Sequence, residues 1–150
     1  MLGLTAPPAL IKAVTTENIT MNNHGAGVAP ADFEEILGGT VEMLSTNLDR
    51  AGRPFVSTFE AKSYPFYGTQ WHPEKNAFEW NPKESIPHSA DAVSVMQHVA
   101  NFFVSEARKN DNAFASVEAE TEALIFNYVT TFTNAGFTEE YIWPQPDGKW

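Results

Sequence analysis

A chain of 150 residues that is 43% hydrophobic and 13% aromatic has enough apolar material for an ordinary globular core, so one domain or part of one is expected. Nine Lys and Arg against nineteen Asp and Glu give a net charge of −10 with no basic patch, which argues against a nucleic-acid partner. There is no cysteine, hence no disulfide and no thiol, and no eighteen-residue apolar run that would span a membrane.

Residues 1–14 have neither a cationic start nor an apolar run of signal-peptide length, and Pro7-Pro8 interrupts them, so no secretory signal is expected there. After the prolines, residues 9–14 read as a short helix. Asn18-Ile19-Thr20 is a glycosylation sequon, and the apolar run 19–21 leads into the polar turn Asn22-Asn23-His24-Gly25. Residues 30–37 read as a second helix, with Phe33, Ile36 and Leu37 on one face and Gly38-Gly39 as its stop. Two β-rich runs, 41–46 and 54–59, are separated by a turn-rich segment that suggests a hairpin. A third, 65–71, ends at His72-Pro73, because proline lacks the N–H of a ladder and restricts the residue before it.

From Ser89, a fitting N-cap, the period becomes helical. Val93, Met96, Ala100, Phe103 and Ala107 form the expected apolar stripe, widened by Val95, Val99 and Phe102. Ser116 is expected to cap a further helix reaching through Leu124, Ile125, Tyr128, Val129 and Phe132. Beyond Asn134-Ala135-Gly136, residues 140–143 look strand-like, and no internal repeat is visible.

The four histidines show no HExxH spacing and have no cysteine to join them, so no metal site and no cofactor are expected. The elbow of serine hydrolases, the dinucleotide fingerprint and the P-loop are all absent. What remains is Gly68-Thr69-Gln70-Trp71-His72-Pro73-Glu74, which delivers a histidine at a strand end with a carboxylate two residues on. Alternate residues of an extended chain share a side, so Glu74 is placed to accept from one imidazole nitrogen and leave the other facing a reactant. On spacing alone two readings stand: a catalytic base with its orienter, or a strand-terminal histidine with a hydrogen-bonded ring.

The segment Tyr64-Pro65-Phe66-Tyr67-Gly68-Thr69-Gln70-Trp71-His72-Pro73-Glu74-Lys75, with Phe78-Glu79-Trp80 after it, resembles the histidine-glutamate signature of γ-glutamyl hydrolases within the class I glutamine amidotransferase-like proteins. The helix end from Phe102 to Asn110 is similar to that family too, and the likeness runs from about residue 7 to 143. It implies an α/β fold, specifically the C-terminal portion, over residues 1–150, of a single flavodoxin-like three-layer domain without its N-terminal strands and nucleophile elbow. It also implies hydrolysis of γ-glutamyl bonds in folate poly-γ-glutamates through a cysteine thioester, in a vacuole, a lysosome or outside the cell.

Under this resemblance His72 and Glu74 are the catalytic pair, and His24 is a substrate-holding histidine or else a surface turn residue. Glu79 and Trp80 line the pocket mouth or pack. Lys75 is the nearest cation for a polyanionic substrate, and His88 and His98 are peripheral. Lacking the nucleophile, the chain alone is expected to be inactive. Exposed apolar faces and a free sheet edge are expected to drive association with itself or with a complementary chain. The alternatives are a non-catalytic binding or partner module that keeps the pocket wall, and the glutaminase part of an amidotransferase. Phe78-Glu79-Trp80 and the long tail after the last major helix speak against the second of these.

Overall fold

The computed structural model describes residues 6–133 and 137–143. The expected break at Asn134-Ala135-Gly136 and the first five residues lie outside that range. Two short helices open the chain, α1 (Pro8–Thr16) and α2 (Pro30–Leu37), each with a proline in its first turn, where the missing N–H costs no helical hydrogen bond. Between them, residues 18–22 run without forming a strand, although Ile19 and Met21 are buried.

Strands β1 (Val41–Leu48), β2 (Pro54–Ala61) and β3 (Tyr67–Thr69) follow as an antiparallel meander in chain order. The predicted hairpin is present, with Val41 opposite Ala61 and Leu48 opposite Pro54. Its turn is organised by Asp49, whose Oδ1 accepts from the amides of Ala51 (2.8 Å) and Arg53 (2.9 Å) while its Oδ2 accepts from Arg53 Nε at 2.7 Å. The Arg53 amide is the main cause holding the Asp49 carboxyl below its usual pKa range. Gly52 supplies the left-handed φ of +79° that closes the turn. In β3, Gly68 lies flat against the Phe59 ring, in space that any Cβ would need.

The third run is a shorter strand than residues 65–71 suggested. Its continuation changes partners: the Gln70 amide donates to Ser57 O (2.8 Å) and the His72 amide to Met21 O (2.9 Å). Trp71, between them, is 3% exposed and enters the main core with Ala13, Ile19, Ala92, Val95, Met96 and Val99. Its indole Nε1 donates to Thr58 Oγ1 at 3.0 Å, which satisfies a hydroxyl that is otherwise sealed in β2.

A single turn, α3 (Lys75–Phe78), leads to α4 (Ala90–Ala107), capped as expected by Ser89 accepting from the Ala92 amide. Of the predicted α4 stripe, Met96 and the widening residues Val95 and Val99 are buried and the rest is not. Ala92, Val95, Met96 and Val99 go inward, whereas Val93, Ala100, Phe103 and Ala107 are exposed, Phe103 at 66%. The core against α4 is supplied by α1, Ile19 and Trp71, and it selects the 92/95/96/99 side; further along, Phe102 meets the Tyr67 ring edge-on with centroids 4.9 Å apart. Both sides carry apolar residues, so periodicity alone did not distinguish them.

The expected helix after Ser116 is also shorter. Ser116 does cap α5 (Val117–Ala123), accepting from the Ala119 amide at 3.2 Å, but the helix ends where Asn127 Nδ2 donates to Thr121 O and Glu122 O. Ile125–Asn127 is then a 3-10 turn, and β4 (Thr131–Phe132) pairs with β5 (Glu139–Glu140), all that forms of the strand-like run expected at 140–143. Phe126 and Val129 stay more than 80% exposed, and Tyr128 meets the Trp143 ring edge-on at 5.5 Å, so little of the apolar half of the predicted helix is buried. The fold is thus mixed α/β with two small antiparallel sheets.

Trp71→Phe keeps the ring buried but strands the Thr58 hydroxyl, and should cost roughly 1–3 kcal/mol. The check is a lower urea midpoint with an unchanged denaturant slope.

Candidate functional site

The burial of Trp71 decides where His72 points. With its indole in the core and its neighbours paired to Ser57 and Met21, the chain emerges at His72 and Pro73 ends the extended stretch. Glu74 then stands at the start of α3 and turns its carboxylate back to the ring, so His72 Nδ1 meets Glu74 Oε1 at 2.8 Å. The carboxylate can only accept, so Nδ1 is the protonated nitrogen of the neutral ring, and Nε2 keeps its lone pair for a reactant. The His72 side chain is 28% exposed and that of Glu74 is 61% exposed, an open site rather than a sealed ion pair.

His24 comes to the same place from the 22–25 turn. Its ring stacks on that of His72 with centroids 4.8 Å apart and planes inclined by 20°. Three of the five residues singled out from sequence are therefore brought together, although His24 and His72 are 48 positions apart in the chain.

Glu79 and Trp80 are turned to other partners. Glu79 accepts from the Thr138 amide (3.3 Å) and, in a short hydrogen bond, from the Thr138 hydroxyl, which ties the loop after α3 to the β4–β5 hairpin. That hydroxyl is the largest cause holding the Glu79 carboxyl below its usual pKa range, against an opposing effect of burial. Trp80 is 67% exposed and lies face to face on His88, centroids 3.7 Å apart and planes within 5°.

His88, placed at the periphery by sequence, is thus part of the loop's support: its Nδ1 donates to the Asn76 backbone oxygen at 2.8 Å. Asn76 itself is fully buried, with Nδ2 donating to Ile19 O (3.0 Å) and Pro87 O (2.7 Å), and so it clamps the segment before His24 to the loop after Glu74. The only sequence signal for this clamp is an asparagine two residues beyond the carboxylate. Lys75 is not a free cation. It is 4% exposed and paired with Glu84 at 2.6 Å, with the Phe137 ring centroid 5.0 Å away. No group of three potential metal ligands occurs among the described residues.

No protein-family model matches the chain. Curated relatives do: γ-glutamyl hydrolase 1 of Arabidopsis thaliana is 43% identical over 148 residues, which cover 95% of this chain and 42% of that protein. γ-Glutamyl hydrolase B of Dictyostelium discoideum is 39% identical over 91% of this chain and 39% of its own length. The γ-glutamyl hydrolase of Bos taurus is 38% identical over 91% and 44% respectively. The chain belongs to the γ-glutamyl hydrolase family. It spans about two fifths of the length of the relatives it matches. The histidine-glutamate pair of this γ-glutamyl hydrolase family chain lies in the covered part; a cysteine does not occur in it.

Two measurements check this geometry. In the neutral ring of His72, two-bond ¹⁵N correlation spectra should show the Nδ1–H tautomer, and Glu74→Ala should shift the ring towards the mixture of a solvated imidazole. The Glu79 contact has a signed pH dependence. Because the folded carboxyl titrates lower than the unfolded one, its stabilisation is present above about pH 4.3 and is lost as pH falls through the folded value. Thr138→Ala should therefore lower stability at pH 7 in urea melts, and the gap from the parent should narrow at pH 3.

Proposed function

We propose that this chain is the histidine-bearing portion, over residues 1–150, of a single γ-glutamyl hydrolase domain with the class I glutamine amidotransferase-like, flavodoxin-like three-layer fold. Its substrate class is folyl poly-γ-glutamate, and its compartment is the vacuole, the lysosome or the cell exterior. The observation that carries this reading is the His72–Glu74 pair at 2.8 Å, presented just beyond β3 in a chain that is 43% identical to a γ-glutamyl hydrolase.

The chemistry divides accordingly. A cysteine thiolate, supplied by polypeptide that this sequence does not include, attacks the γ-glutamyl carbonyl. The imidazolium of His72 protonates the departing amine through Nε2. The same nitrogen, now neutral, takes a proton from the water that hydrolyses the thioester. Glu74 holds Nδ1–H throughout, so that a single tautomer serves both steps. His24 and the face of Trp80 contribute substrate contacts, the exposed indole suiting a flat heteroaromatic ring, and Glu79 holds the loop that carries Trp80.

Alone, the chain is a binding half without a nucleophile, which revives the non-catalytic reading for the isolated polypeptide. Its outer α4 face, with Phe103 and Val104 exposed, is the surface on which a complementary chain would act.

The test is complementation. Purified chain should show no turnover of a γ-glutamyl peptide. Mixed with the remaining segment of the Arabidopsis relative, it should form a stoichiometric complex, lose hydrophobic-dye binding and hydrolyse the peptide, with His72→Ala abolishing the gain. Enzyme-like turnover by the chain alone, or a complex whose activity ignores His72, would refute the reading.

A further inference from the structure

Helix α1 ends at Thr16, and Glu17 turns the chain extended with φ −122° and ψ 150°. The Ile19 amide donates back to Glu17 O at 3.1 Å, so Asn18 stands at the apex of a three-residue turn. Ile19 anchors that turn from below: it is 3% exposed in the main core, and its carbonyl accepts from the buried Asn76 amide. Its two neighbours look outward. Asn18 is exposed, and its side-chain amide makes no hydrogen bond among the described residues. Thr20 is half-buried; its hydroxyl oxygen accepts from Asn22 Nδ2 at 3.3 Å, which leaves the hydroxyl proton uncommitted.

Asn18 is also the one asparagine of the chain with serine or threonine two residues on. The surface around it is polar. Thr15, Thr16 and Glu17 are exposed, and no large apolar side chain from residue 6 to residue 27 is. The outer face of α4, with Phe103 and Val104, and the 124–132 segment, with Phe126 and Val129, expose apolar side chains instead. A bulky hydrophilic group on Asn18 would therefore break no side-chain hydrogen bond and cover no exposed apolar residue of its own segment.

We propose that Asn18 carries an N-linked glycan, and that the end of α1 accordingly stays at the solvent surface of the complete protein. The inference rests on the compartment proposed above, because the modification is made on chains that enter the secretory route. The donor is a lipid-linked oligosaccharyl pyrophosphate. A bond forms between the Asn18 side-chain nitrogen and the anomeric carbon of the first sugar, and the bond from that carbon to the pyrophosphate oxygen breaks. The lipid pyrophosphate leaves with the electron pair, and one amide proton passes to the transferase. Thr20 is the recognition residue, read through its hydroxyl, and Ile19 holds the finished turn in place.

The experiment expresses the 150-residue chain behind a cleavable secretory signal in cultured eukaryotic cells and reads the secreted protein by intact mass and peptide mapping. It should carry a single glycan, which peptide N-glycosidase removes, leaving aspartate at position 18. Asn18→Gln and Thr20→Val should abolish the modified form, and Thr20→Ser should retain it. Asn18→Gln should melt as the deglycosylated parent does, so that loss of the glycan is not loss of the fold. The protein isolated from its own cells should yield the same modified peptide. A secreted, folded chain without glycan would overturn this inference and leave the γ-glutamyl reading intact, whereas unmodified protein found in the cytosol of its own cells would overturn it together with the compartment. Equal complex formation with the Arabidopsis segment by glycosylated and deglycosylated chain would support the solvent placement of Asn18, and loss of the complex in the glycosylated form alone would overturn it.

Discussion

Everything that places the candidate site depends on the burial of one indole. Trp71 inserts between α1, α4 and the 18–22 segment, and its Nε1 is fixed to the Thr58 hydroxyl. A large aromatic side chain contributes much of the area a small core can bury, and its hydrogen bond removes the freedom to rotate. With Trp71 fixed, His72 emerges at the rim of that core, where Pro73 ends the extended stretch and Glu74 turns back to the ring. The His72–Glu74 pair is thus a by-product of core packing on one side and of a proline on the other.

The second constraint is the buried clamp beneath the loop. Asn76 joins three stretches of chain through two side-chain donations and one backbone acceptance, and His88 with Trp80 extends it outward. Lys75 and Glu84 add a paired charge in the same region, with side chains 5% and 15% exposed. Such a pair is weak support for stability but strongly disfavours any arrangement that separates it, so it specifies the loop's path more than it strengthens it. The loop that presents Glu74 is therefore held from below, while the carboxylate itself stays half open to solvent.

The sequence made the site more legible than the packing around it. His72 and Glu74 could be read because a proline, a strand end and a two-residue spacing are local features with local geometry, and the likeness to γ-glutamyl hydrolases sharpened them. Helix starts were legible at Ser89 and Ser116 for the same reason, since a cap acts over three residues. What failed depended on partners distant in the chain. On α4 only Val95, Met96 and Val99 of the expected stripe are buried, because apolar residues cover more of the helix than the core around α1 and Trp71 can take. The helix after Ser116 is shorter than its apolar pattern suggests, because Phe126 and Val129 find no surface that buries them. His88 looked peripheral because a histidine's neighbours across a loop leave no spacing to read, and Asn76, in plain view beside the motif, carried no signal of how deeply it is buried.

The meander β1–β2–β3 joins residues close in sequence, whereas the core around Trp71 unites Ala13 with Val99 and the ring stack unites His24 with His72. Local hairpins close quickly, and pairings across many residues close late, because a longer loop must first give up its freedom. The imidazole stack carries the larger loop-closure cost of the two, since it joins residues 48 positions apart. The ring stack therefore depends on the docking of two stretches 48 residues apart, whereas the sheet beside it needs only neighbours in sequence.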